Sequence, residues 1–364
     1  MGEEVLVAAD TVQVYLDAIL RNLGADPDVA AEASEHLVGA NLAGHDSHGI
    51  MRIVQYVDNA DRGALQAAHR GSILKEGPSL ALFDAERGLG QWSSRQALDW
   101  CTDHAKGAGI AAAAVRHSTH VGRLGHYAEI AAQRGFVSIV SVGLAGPGAG
   151  VVAPFGGAGR FLGTNPWAFG VPADGRTPMI ADFATSQVAE GKVRLARYKG
   201  QQLPLGLIVD AGGEPTSDPT RLYDGGALLG IGGGLTGHKG YGLGLAAALF
   251  GGLATIGDEQ PTTAGTMAGR PPAQPWLAGF FVAVLDPEWF GGLAPYQAQV
   301  HALLDTAAQV PPAPGTDRVL VPGEPEALRR AERRRDGLAI PAALWEQLEQ
   351  LGARFQIPLP APLA

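Results

Sequence analysis

Between Ser79 and Gly146 the hydrophobic pattern changes period again and again. "SLALFDAERGLGQ" reads as a strand and turn, "SSRQALDWCTDHAKGAG" as a helix ending in glycine, and "IAAAAVRHS" as a strand. "GRLGHYAEIAAQRG" then reads as a helix and "FVSIVSVGLAG" as a strand. A chain that alternates in this way points to the α/β class, with some of its strands parallel. Later segments extend the pattern. "FLGTNPWAFGVPA" and "TPMIADFATS" are strand-turn units, "KGYGLGLAAALFGGLAT" is a small-residue helix, and "WLAGFFVAVLD" is a buried strand.

The flanks differ. Residues 10–60 read as helices. Asp10-Thr11 are placed to cap the first, whose apolar face is Val12, Leu16, Ile19, Leu20 and Leu23; Pro27 sits at the start of the second, with Ala30, Ala33 and Leu37. "PPAPGT" (311–316) reads as a linker, followed by a short strand, "DRVLVPGE", and then helices. Three parts result: a helical region over 1–77, an α/β domain over 78–312, and a C-terminal segment over 313–364 that is able to pack back on the first helices.

Composition removes several function classes. The net charge of −9 argues against nucleic acid or an anionic membrane as partner. The one basic cluster, Arg329 to Arg335, reads as a solvated helix face. Cys101 is the only cysteine, so neither an intrachain disulfide nor a thiolate zinc cage can form; it reads as a core residue. The uncharged runs 135–159 and 240–257 are too rich in Gly, Pro and Ala to read as membrane spans. With no signal-peptide pattern in "MGEEVLV", a soluble cytoplasmic protein is expected.

Against this apolar background "HDSHGIMR" (45–52) concentrates polar groups. If the segment is helical, His48 and Arg52 share a face. A histidine exchanges protons near neutral pH, and an arginine grips a carboxylate with two prongs. Together with Ser47 they suit a 2-keto or 2-hydroxy acid. The competing reading is a helix capped by Asp46 and Ser47 with His48 on the surface.

Other stretches are weaker alone. In "RHSTHVGRLGHYAE" (116–129) Ser118, Thr119, Gly122 and Gly125 suit a loop whose free N–H groups face an anion, and His120 opens the helix that follows. In "GGLTGHKGYGLGL" (233–245) Lys239 lies among glycines ahead of a helix. Gly232, Gly234 and Gly237 formally spell GxGxxG with Asp258 downstream, but the preceding segment is a poor strand. "ADFATS" and "LVPGEPE" read singly as turns. His45, His48, His117 and His120 form two H-x2-H pairs, so a histidine-based metal hydrolase is the rival outside this class; neither pair has the HExxH spacing, and no metal is expected.

Taken in order, DSHGxxR, HxGRLGxYAE, VAPFGG…LGTNP…P, DFATSxVAEGKVRLAR, GHKGYGL and VLVPGEPE resemble the type-2 malate/L-lactate dehydrogenase family over about residues 10–355. Ureidoglycolate, sulfolactate and diketogulonate oxidoreductases and cyclic-imine reductases belong to the same family. The resemblance implies an α/β domain that binds NAD(P) without the doubly wound dinucleotide fold, beside a helical domain made by the N- and C-terminal regions. It implies NAD or NADP as cofactor, a small carboxylate substrate and a homodimer. It makes His48 the proton donor, Arg52 the carboxylate anchor and Ser47 its neighbour, with His120 in the pocket as a further acid/base candidate. His120, Val121, Gly122, Arg123 and Leu124 would contact the cofactor. So would Asp182, Phe183, Ala184 and Thr185, Lys239 and Gly240, and the Pro322-Gly323-Glu324 turn. The expected activity is hydride transfer to or from C2 of a malate- or lactate-like acid, with ureidoglycolate or cyclic-imine chemistry as the alternative.

Overall fold

The computed structural model describes residues 4–258 and 277–363. Strand β1 (Glu4–Val7) leads into α1 (Ala9–Asn22), α2 (Pro27–Leu42) and α3 (Arg52–Asp61). The apolar stripe of α1 is buried as its periodicity demands. The start of α1 differs from expectation. The helix begins at Ala9, and Thr11 Oγ1 donates to the Ala8 carbonyl instead of capping. α2 does begin at Pro27, where a missing N–H costs nothing.

The α/β part starts with β2 (Ser72–Glu76), β3 (Leu80–Asp84), α4 (Gly90–Ala108), β4 (Ile110–Arg116), α5 (Leu124–Gln133) and β5 (Val137–Ala145). α4 stops at Gly109, whose φ of +78° ends a helix at little cost in a residue without Cβ. β6 (Trp167–Val171) and β7 (Met179–Phe183) follow, then α6 (Glu190–Tyr198). A small sheet is built from β8 (Ile208–Val209), β9 (Pro215–Thr216) and β10 (Ala227–Leu228), with α7 (Thr220–Tyr223) between the last two. α8 (Gly233–Gly252), β11 (Leu277–Leu285), α9 (Leu293–Ala308), α10 (Glu324–Asp336), β12 (Leu338–Pro341) and α11 (Ala342–Phe355) complete the chain.

The main sheet has seven strands in the order β2-β3-β4-β11-β5-β6-β7. Only β3 and β4 pair in parallel; β11 slots between β4 and β5 and runs antiparallel to both. The parallel character suggested by the strand–helix alternation is therefore confined to one pair, because a distant strand fills the gap that α5 leaves between β4 and β5. Leu98, Cys101, Tyr127, Phe280, Val282 and Val284 pack α4 and α5 on one face. On the other face α8 approaches so closely that a Cβ on Gly143 would lie 2.0 Å from the Ala247 carbonyl oxygen, and one on Gly279 2.3 Å from that of Gly251. Part of the glycine content is thus explained by helix-on-sheet contact.

The C-terminal segment packs back on the first helices. β1 pairs antiparallel with β12, and Trp345, Leu348 and Leu351 of α11 join the α1–α3 core. Tyr15 Oη donates to the Leu348 carbonyl at 2.5 Å. Residues 317–323 form no strand, contrary to the reading of "DRVLVPGE". The Arg329–Arg335 cluster is more than a solvated face: Arg330 pairs with Glu129 at 2.8 Å, and Arg333 pairs with Asp46. No helix among the described residues is long and apolar enough to cross a membrane.

Candidate active site

His48 and Arg52 do not share one continuous helix. Asp46–His48 is a single 3-10 turn, Gly49 breaks it with φ −98° and ψ −146°, and α3 starts at Arg52. Asn41, at the end of α2, holds this corner. Its Nδ2 donates to Asp46 Oδ1 and its Oδ1 accepts from the Ile50 N–H, both at 2.6 Å. Only glycine fits at 49, since a Cβ there would fall 1.8 Å from Asn41 Oδ1. The corner still presents His48 and Arg52 together, through backbone geometry rather than helical spacing.

His120 arrives from the loop after β4. Its Nε2 lies 2.9 Å from His48 Nδ1, and its Nδ1 lies 2.7 Å from the Tyr56 hydroxyl. Burial, and after it the nearby Arg52 charge, push His48 down to about 3. The same causes, joined by His48, hold His120 well below the ordinary imidazole value. Both rings are therefore neutral at pH 7 in the ligand-free protein.

Arg52 is half-buried. Its Nε donates to the Ser47 carbonyl and its Nη1 to Gln55 Oε1, both at 2.6 Å. Among the described residues it forms no ion pair with a carboxylate, and burial lowers its pKa. A desolvated guanidinium without a counter-ion is costly, and an anionic ligand removes that cost. Ser47 is exposed and offers its carbonyl to Arg52.

The H-x2-H pairs do not gather into a metal cage. His48 meets His120, but His45 pairs with Glu326 at 3.3 Å, and His117 with Asp84 at 3.0 Å and Asp258 at 2.6 Å. Asp258 is thereby engaged by a histidine, and Gly232 is merely the left-handed residue ahead of α8, so the formal GxGxxG is not a dinucleotide turn. A different group, Glu32, His36 and His126, has donor atoms within 4.8 Å of one another. It is poorly suited to a metal. His36 Nε2 accepts the Arg123 N–H at 2.8 Å, so Nδ1 carries the ring proton and has no lone pair to give.

The stretches proposed for the cofactor converge around β7. Asp182 Oδ2 accepts the Gly125 N–H at 2.7 Å and lies 3.7 Å from Arg123 Nε. Burial raises the Asp182 pKa despite the Arg123 charge. Two N–H groups of the 121–125 loop are thus already taken, by His36 and Asp182, and the loop is not the open anion cradle its composition suggested. Val121, Gly122, Arg123 and Leu124 are buried. Phe183 is exposed, Ala184 is half-buried, and Thr185 Oγ1 donates to the Thr164 carbonyl at 3.0 Å. The Thr185 carbonyl accepts from the Ile231 N–H at 2.9 Å, which joins this segment to the approach to α8. Lys239 is exposed inside α8, not ahead of it, and Gly240 packs against Ile231. The Pro322 carbonyl accepts the Ile180 N–H at 3.2 Å, so the Pro322-Gly323-Glu324 turn lies along β7. Gly323 needs its φ of +95°, and a Cβ there would sit 2.8 Å from the Pro178 carbonyl oxygen.

The sequence motifs marked neither Asn41, Tyr56, Gln91 nor His36. Each is buried and polar, and each touches a motif residue or the next member of the chain that starts at His48.

Comparison with known proteins gives a concordant result. The model of the malate/L-lactate dehydrogenase family matches residues 7–349. Hydroxycarboxylate dehydrogenase B of Escherichia coli (strain K12) is 35% identical over 353 residues, covering 96% of this chain and 94% of that protein. An L-lactate dehydrogenase of Cupriavidus necator is 35% identical over 337 residues, covering 92% of this chain and 93% of that one. Among solved structures, malate dehydrogenase from Entamoeba histolytica superimposes with a TM-score of 0.88 at 26% identity, covering 99% of this chain and all of that one.

Proposed function

The chain belongs to the malate/L-lactate dehydrogenase family, and on that premise we propose that it moves a hydride between NAD(H) or NADP(H) and C2 of a small 2-hydroxy or 2-keto acid. The observation that carries the reading is Arg52, a half-buried guanidinium with no carboxylate partner among the described residues, beside His48.

Arg52 would grip the substrate carboxylate, which brings the 2-oxygen toward His48. The carboxylate offsets the positive charge that, after burial, depresses both histidines, so the His48–His120 pair takes up a proton as substrate enters. In reduction the pair then gives that proton to the oxygen while C2 gains hydride; in oxidation it accepts the hydroxyl proton. A nicotinamide dinucleotide supplies or receives the hydride when bound. The segments that meet along β7 suit it. Asp182 to Thr185 and the Pro322-Gly323-Glu324 turn would line it, and Lys239, in no ion pair with a described residue, is a cation for its phosphates.

We further propose a homodimer. Leu235, Leu249 and Phe250 of α8, and Leu253 just after it, are exposed apolar side chains that a second copy would cover. A monomeric mass in solution with full activity would remove this assignment. A cytoplasmic setting accords with the single, buried, unpaired Cys101; cell fractionation tests it.

The test of function is a panel of 2-keto acids and cyclic imino acids with NADH and NADPH. At least one should consume reduced dinucleotide, while the matching aldehyde without the carboxylate should not. No consumption with any member would overturn the reading.

A further inference from the structure

The His48–His120 pair continues inward. Tyr56 Oη lies 2.7 Å from His120 Nδ1, and Gln91 Nε2 donates to Tyr56 Oη at 2.5 Å. Tyr56 is 2% exposed and Gln91 is fully buried, and Gln91 Oε1 meets no donor among the described residues.

Counting protons fixes the possible states. A phenol has one proton and an imidazole one or two. With Gln91 donating to Tyr56, the phenol proton points to His120 Nδ1. His120 then keeps its proton on Nε2 and donates it to His48 Nδ1. A neutral His48 in turn carries its proton on Nε2, the nitrogen without a protein partner among the described residues.

Adding a proton to the pair changes this order. One proton lies between the two rings, so the cation must carry the others on both outer nitrogens, His48 Nε2 and His120 Nδ1. His120 Nδ1–H then needs Tyr56 Oη as acceptor, and the phenol proton must find an acceptor in turn. Gln91 Oε1 supplies it if the amide turns end for end. Either orientation makes one hydrogen bond to Tyr56 and leaves one amide atom unpaired, so the count of hydrogen bonds favours neither.

We infer that Gln91 is a positioning residue whose amide sets the direction of this chain and turns when the histidine pair is protonated. Its consequence for catalysis rests on reading His48 as the acid/base. The charges of Arg52 on α3 and Arg123 in the loop before α5 both act on His48; neither can accept the phenol proton.

Nuclear magnetic resonance of 15N-histidine-labelled, ligand-free protein tests this without substrate, since nitrogen shifts report which ring atom bears the proton. Signals are assigned with His48→Gln and His120→Asn. In the wild type His120 Nδ1 should be bare at neutral pH. In Gln91→Glu, as the introduced carboxylate ionises between about pH 6 and 10, the phenol proton should turn toward it and His120 Nδ1 should become protonated. A bare Nδ1 throughout that range would overturn the inference. Gln91→Met offers no acceptor for the phenol proton. In the active enzyme it should lower kcat/KM for keto-acid reduction about tenfold, the scale of one hydrogen bond, and leave cofactor affinity unchanged. Adding Tyr56→Phe should then cost little more, and fully multiplicative losses would also count against it. A missing activity with the expected nitrogen shifts would instead strike the proposed reaction and spare the chain.

Discussion

His48 Nδ1 and His120 Nε2 meet at 2.9 Å although 72 residues separate them. One stands on the corner before α3, in the helical body; the other on the loop after β4, in the sheet. Each layer therefore contributes half of the proposed acid/base pair, and Tyr56 of α3 locks the junction through His120 Nδ1.

Replacing His48 by Gln should lower kcat by about 10²–10⁴-fold, the usual range for losing a general acid. The side chain is on the site corner and not in a core cluster, so melting temperature and cofactor affinity should hold. Near-normal turnover in a folded variant would move the proton-transfer role away from His48.

Arg52→Lys should chiefly raise KM for the keto acid. Lysine keeps the charge but loses the planar fork that engages both carboxylate oxygens and, at the same time, the Ser47 carbonyl. Arg52→Met should be worse, and in that variant the pH at which the histidine pair protonates should rise, because the charge that helps depress it is gone. An unchanged KM in both variants would place the carboxylate clamp elsewhere.

Stability should fall in mild acid. His36, His48 and His120 are all held below the ordinary imidazole value, in each case chiefly by burial. An unfolded histidine titrates near 6.5. Below that pH the unfolded chain binds protons that the folded chain refuses, so stability is intact above about 6.5 and drains away as pH falls. With three such groups the slope is at most about 4 kcal/mol per pH unit. Urea midpoints at pH 7.5 and 5.5 measure it; equal midpoints would mean that the three rings are not neutral in the folded state.

The sequence made the groups proposed to react legible because they lie in short motifs, and the helical body legible because α1 and α2 keep apolar residues at helical spacing. It hid contacts that depend on distant chain. Asn41, Tyr56 and Gln91 are ordinary polar residues until folding brings them to Asp46, His120 and each other. β11 cannot be seen to enter between β4 and β5, since nothing local marks its neighbours. β2 has every residue exposed and so shows no alternation. The first turns of α8 are mostly glycine, threonine and histidine, poor helix formers that only tertiary packing keeps helical; the sequence alone therefore puts Lys239 ahead of the helix that contains it.

Lys239→Ala should weaken dinucleotide binding more than keto-acid binding. Lys239 is exposed on α8, whose approach is tied to Thr185 through the Ile231 N–H, and no ion pair to a described residue engages it. Fluorescence titration with NADH and NADPH reads the effect; an unaltered dissociation constant for both would remove Lys239 from the cofactor site.

The central claim is direct hydride transfer to C2 of an acid held by Arg52. Reduction of an active keto acid with dinucleotide deuterated at C4 of the nicotinamide, followed by mass spectrometry of the product, tests it most directly. The expected product carries one deuterium at C2 when the transferring face is labelled, and Arg52→Met slows its formation. A product formed at the normal rate with no deuterium at C2 from either labelled face would contradict the claim.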